Sequence, residues 1–178
     1  MRSFLNITIL LLSGTAWLDA RQPPGTPGSA GTNHTKTVQP KEGVRLNHAH
    51  GTFDVKLTPR KPEDGDAEAG IASTRIEKTF QGDLVATSRA EMLSAANEGA
   101  GSGAYVAIER VTGSLNGRSG SFLLMHNGTM TRTAQKLNIG VVPDSGTGAL
   151  AGLSGSLEIK IVEGIHQYHF KYTLGQSP

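Results

Sequence analysis

The sequence predicts an all-β domain, an antiparallel meander of seven or eight strands, with eight closing it into a barrel. Composition is the first observation behind this. Among 178 residues there are 23 glycines, charged residues make up 18% and hydrophobic residues 37%, a balance that suits a turn-rich β protein better than a helical bundle. Short apolar-polar alternations separated by turn dipeptides are the second, with Asn116-Gly117 the strongest of them, since this pair supplies the positive φ angles of a two-residue hairpin. The third is that nearly every connection is short. Sequential hairpins form a meander, and closure is the surest protection for its edges. A β-sandwich is the alternative architecture.

The first 20 residues have the pattern of an export signal. Arg2 gives a short positive region, Phe4 to Leu12 is almost continuously apolar, and Ala16 and Ala20 are small residues suited to cleavage. The run is too short for a standard membrane-spanning helix. The expectation is an exported protein, periplasmic or secreted, with no stable membrane insertion once the signal is removed. Residues 21–48 are rich in Pro, Gly, Ser and Thr and read as a flexible linker. His48 and His50 end it as a His-x-His pair with no third ligand near them in sequence, so no metal and no cofactor is expected. Cysteine is absent, which excludes disulfides and thiolate chemistry.

The barrel domain is expected over residues 49–174, followed by a tail at 175–178. Phe53, Val55 and Leu57 alternate in a first strand stopped by Pro59, and residues 59–70 form a polar surface loop. Ile71 to Ala96 holds a strand pair around Gln81-Gly82, although Glu91 to Asn97 reads equally as a short helical turn. Tyr105 to Arg132 is the central hairpin. Thr133-Ala134 reverses the chain into Leu137, Ile139 and Val141, and Pro143 to Gly155 reads as a long glycine-rich loop. The last hairpin turns at Glu163-Gly164, with Val162 opposite Ile165, Ile159 opposite Tyr168 and Leu157 opposite Phe170.

If Leu115 pairs with Arg118, then Val111 faces Phe122, Glu109 faces Leu124, Ala107 faces His126 and Tyr105 faces Gly128. Cross-strand partners share a face, so Tyr105, Glu109, Val111, Phe122, Leu124 and His126 lie together. Glu109 and His126 then sit diagonally, roughly 7–8 Å apart at the backbone. The opposite face, with Val106, Ile108, Leu123 and Met125, is also apolar, and alternation alone does not say which faces inward.

Several runs carry a resemblance: AHGTFDVKLTP, YVAIERVTGSLNGRSGSF, LLMHNGTM, VVPDSGTGALAGLSG and HQYHFKYTL. From Ala49 to Leu174 the chain resembles an uncharacterised bacterial single-domain family whose barrel is similar to allene oxide cyclase. The resemblance implies a small antiparallel barrel. The wider barrel class includes a cyclase, dirigent-type proteins and lipocalin-shaped carriers, but no cyclase catalytic motif maps onto these residues. Fold does not supply function.

The leading functional expectation is a small, partly apolar ligand held inside the barrel. Glu109, His126 and Tyr168 would orient it, and Tyr105, Phe122 and Leu124 would pack around it. Catalysis is the less favoured role. One form of it is an isomerase or cyclase relaying a proton through Glu109 and His126. Another is an aspartic-type peptidase built on Asp144, because Asp144-Ser-Gly-Thr matches the short signature of that chemistry, which needs two carboxylates sharing a proton. The plainer readings are a structural core pair in a module without ligand, and an Asp144 that merely caps its loop. Formal net charge is only +2 and the basic residues are scattered, which argues against nucleic-acid binding. Nothing in the pattern sets an oligomeric state.

Overall fold

The computed structural model describes residues 45–63, 69–97 and 99–175. The export signal, most of the linker, and three acids of the first loop, Asp64, Asp66 and Glu68, lie outside the described residues. Eight strands follow one another: β1 (Asn47–Pro59), β2 (Ile71–Gly82), β3 (Leu84–Asn97), β4 (Ser102–Leu115), β5 (Arg118–Met130), β6 (Gln135–Val141), β7 (Leu153–Val162) and β8 (Ile165–Leu174). Each pairs antiparallel with the next, and β8 pairs with β1 to close the barrel. Closure excludes the sandwich.

Both central registers follow from their turns. In the β4–β5 ladder Leu115 is opposite Arg118, Val111 opposite Phe122, Glu109 opposite Leu124 and Ala107 opposite His126. The turn residues Asn116 and Gly117 take φ angles of 47° and 78°, as the right-handed twist of a tight hairpin demands. Glu163 and Gly164 repeat this arrangement with φ of 51° and 82°, and Val162 pairs with Ile165.

Three elements differ from expectation. Residues 91–97 continue β3 as strand, because Glu91 to Asn97 pair residue for residue with Ile108 to Ser102; local helix propensity yields to a ladder partner. β1 takes in Asn47 and His48, which pair with Tyr172 and Lys171 of β8; closing the ring orders residues that composition alone assigns to a linker. The glycine-rich stretch also divides earlier. It forms a short 3-10 turn, Gly148–Leu150, and β7 begins at Leu153, so Gly155 lies within a strand. Gly155 suits that strand for a packing reason: a Cβ there would sit 2.3 Å from the Lys171 carbonyl oxygen.

Side chains alternate in and out, and the packed part of the inward set includes Phe53, Phe80, Leu84, Val111, Phe122, Leu124, Ile139, Leu157, Tyr168 and Phe170, all buried. Val106, Ile108 and Met125 are exposed on the outer wall, which settles the ambiguous face of the central hairpin. The two poles differ. At one, Leu115, Leu150, Leu153, Phe170 and Tyr172 are buried together, with Leu150 of the 3-10 turn as plug. At the other, inward residues lose their cover. Leu57 is 50% and Leu137 36% exposed, while Ile76, Met92, Tyr105 and Ile159 are half-buried.

Leu150 therefore bears on stability although it belongs to a loop. It is 1% exposed, and Leu150→Ala is expected to cost about 2–5 kcal/mol. The outward Val85→Ala should stay within about 0.5 kcal/mol. Urea unfolding followed by circular dichroism checks both.

Candidate functional site

Inside the barrel, between the plugged pole and the open one, the apolar lining is interrupted by charge. Glu109 of β4 is fully buried, with 0% exposure. A carboxylate so placed is untenable without donors, and three strands supply them. Lys78 Nζ of β2 donates to Oε2 at 2.7 Å, Ser88 Oγ of β3 donates to Oε1 at 2.5 Å, and His126 Nε2 of β5 lies 2.8 Å from Oε2. Because an ionised carboxylate only accepts, that histidine nitrogen carries the hydrogen. Lys78 is itself buried. Its ammonium lies 5.1 Å and 5.7 Å from the ring centroids of Phe53 and Phe80, whose faces attract a cation. Among the described residues no buried side-chain nitrogen or oxygen lacks a partner.

Opposing effects set the ionisation of Glu109. Burial is the largest and pushes the carboxyl pKa up. The hydrogen bond from His126 and the charge and hydrogen bond of Lys78 together outweigh it, and the pKa falls from 4.5 to about 2. Burial also raises the phenol of Tyr105, helped by the Glu109 charge. The Tyr105 ring lies over Gly128, where a Cβ would be 2.4 Å from a ring carbon; glycine leaves room for it. Ala90 and Ala107 are the other small inward residues one step beyond the cluster toward the open pole.

The residues singled out in the sequence thus divide. Glu109 and His126 meet, with Tyr105 above them toward the open pole. Phe122 and Leu124 face inward as expected but belong to the packed core, where Phe122 stacks on Phe170 at 5.8 Å. Tyr168 also faces inward, but its hydroxyl is engaged elsewhere: it accepts from Leu84 N at 2.8 Å and donates to Gln81 O at 3.2 Å. It ties the β2–β3 turn to β8 rather than joining Glu109. Asp144 is exposed with φ of 58°. Its motif neighbours close the loop, Ser145 Oγ bonding Val142 O at 2.6 Å and Thr147 Oγ1 accepting from Ser121 N at 3.0 Å.

Lys78 and Ser88 were not anticipated, although a signal for Lys78 exists. Ile76, Lys78 and Phe80 alternate on one strand, so the same parity that turns two apolar side chains inward turns the lysine inward with them. Two open depressions lie on the outer wall instead. One, of about 510 Å³, includes His50, Glu158, Gln167 and His169. The other, of about 720 Å³, runs across β2 to β5 past Glu77, Arg89 and Arg110.

A closed eight-stranded antiparallel barrel with a buried acid–base cluster near one open end defines the class of protein. The sequence profile of DUF3224, described as a protein of unknown function, matches residues 49–172. The chain belongs to this family. The crystal structure of a protein of unknown function from the same family, from Shewanella oneidensis MR-1, is similar at 44% sequence identity, with a TM-score of 0.68, covering 74% of this chain and 99% of that one. No curated protein matches the chain.

The cluster ties stability to acidity. Glu109 has its lowered pKa only when folded, so its contribution is complete above about 4.5 and is lost as pH falls through about 2. Glu109→Gln leaves Lys78 buried without its counter-charge and is expected to cost about 3–5 kcal/mol at neutral pH. The paired change Lys78→Met with Glu109→Leu should cost less than that single substitution. Urea unfolding across pH 2–7 reads both, and the acid-dependent loss should be smaller in Glu109→Gln.

Proposed function

We propose that this chain is an exported barrel that binds a small, partly apolar molecule in its open pole, above the Lys78–Glu109–His126 cluster. The observation that carries the reading is the asymmetry of the two ends. Inward Leu57, Ile76, Met92, Tyr105, Leu137 and Ile159 keep apolar surface accessible at one pole, while the other is plugged. Ligand sites combine apolar walls with a few fixed polar groups, and here Tyr105 adds a phenol close enough to Glu109 to feel its charge. Export rests on the signal pattern of residues 1–20.

Binding is favoured over catalysis by the state of Glu109. A general base works best with a pKa near the working pH, whereas this carboxylate, with three donors, is held at about 2. It is a poor proton acceptor and a good fixed charge. The exposed, left-handed Asp144, with its neighbours bonded into the loop, favours a turn-forming role over peptidase chemistry.

Detergent-free native mass spectrometry of the protein, with organic extraction of what it carries, tests this directly. Saturable uptake of an apolar fluorescent probe such as anilinonaphthalene sulfonate is expected, competed by the extracted molecule. Met92→Trp, which fills the open pole, should weaken it at least tenfold (about 1.4 kcal/mol), and Val85→Ala on the outer wall should leave it unchanged. No extracted molecule together with no saturable uptake, or uptake indifferent to Met92→Trp, would sink the idea.

A further inference from the structure

The seam that closes the barrel brings the neighbouring His48 and His50 together with His169, far away in sequence. His50 of β1 is the Cα partner of His169 of β8, and both point outward. His48 lies two residues along the same strand and therefore on the same face. The His50 and His169 ring centroids are 4.3 Å apart, His48 and His169 5.2 Å, and His48 and His50 6.4 Å. One nitrogen from each ring falls within 4.8 Å of the other two, and His48 Nδ1 is 2.9 Å from His169 Nε2.

We propose that His48, His50 and His169 form a binding site for a divalent transition-metal ion of the zinc, nickel or copper class. Imidazole is the ligand these borderline ions share. Metal–nitrogen bonds of about 2.0–2.1 Å put the three donor atoms roughly 3–4 Å apart, so ring reorientation without backbone movement closes the widest pair. The backbone beneath is held. His50 N donates to Asp83 Oδ2 at 2.8 Å, and Asp83 N donates back to His50 O at 3.0 Å. Gly51, next in the strand, has no room for a side chain, since a Cβ would lie 1.9 Å from Gln81 O. Three ligands leave a fourth position for water or an anionic group, and the 510 Å³ depression that His50 and His169 help to line is where it would open. Glu158, the Cα partner of His169 on β7, stands beside it, paired to Lys171 at 2.9 Å. The pair His48-x-His50 alone offers two ligands; the third is supplied by a strand 119 residues further on, and only ring closure puts it there.

The test is isothermal titration of the full chain, freed of metal by a chelator, with zinc chloride and then nickel chloride in a non-coordinating buffer near pH 7.5. One equivalent per chain is expected. His169→Ala and His50→Ala should each weaken binding by at least about tenfold, since even the outer partners of metal ligands carry that much. His34→Ala and the inward His166→Gln should leave it unchanged, and circular dichroism verifies that each variant is folded. The proposal is overturned by no saturable uptake of either ion, by an affinity indifferent to His169→Ala, or by one abolished in His34→Ala.

Discussion

A single buried negative charge constrains more of this barrel than any other interaction. Glu109 sits among apolar side chains and is tolerable only while Lys78, Ser88 and His126 aim at it. Those donors come from β2, β3 and β5, so one carboxylate ties four consecutive strands to one another. A slip of one residue in any of those ladders would turn a donor out to solvent and strand the charge. Hydrophobic alternation makes the interior apolar but is repetitive, and repetitive faces tolerate neighbouring registers. The ionic cluster is not repetitive. It adds a penalty against slipped registers to the constraint the turns already impose.

The same cluster separates the interior into two regimes. Toward one pole, aromatic and aliphatic side chains fill the space: Phe122 stacks on Phe170, Tyr172 lies against Phe170, and Leu150 caps them. Toward the other, the inward residues shrink to Ala90, Ala107 and Gly128, and the larger ones beyond are left partly in water. Filled cores are stable and closed; open ones trade stability for access. Here one short barrel does both, with the charge at the boundary.

What was legible in the sequence follows from how far each signal travels. The β4–β5 and β7–β8 registers were fixed locally, because Asn116-Gly117 and Glu163-Gly164 define turns and alternation propagates from them. The meeting of Glu109 and His126 is a consequence of one such register. Lys78 needed only the parity of its own strand, yet a lysine between Ile76 and Phe80 is ordinarily taken for the solvated face. Tyr168 was placed on the right face, but alternation fixes direction and not partner, and its hydroxyl found the β2–β3 turn. His169 was out of reach altogether. It joins His48 across 121 residues, through the ladder that pairs the first strand with the last, and outward polar residues carry no periodic mark. The 91–97 segment shows the converse, a stretch of fair helix formers made strand by its neighbour.

Ring closure also gives the molecule a polarity. Asn47 lies opposite Tyr172, and Leu174 opposite Leu153, so the barrel's first and last strands begin and end side by side at the plugged pole. Among the described residues, the opposite rim is built from the β1–β2, β3–β4, β5–β6 and β7–β8 connections. Those four loops can lengthen, shorten or change composition without touching the closing seam, so one rim is free to vary while the other carries the closure.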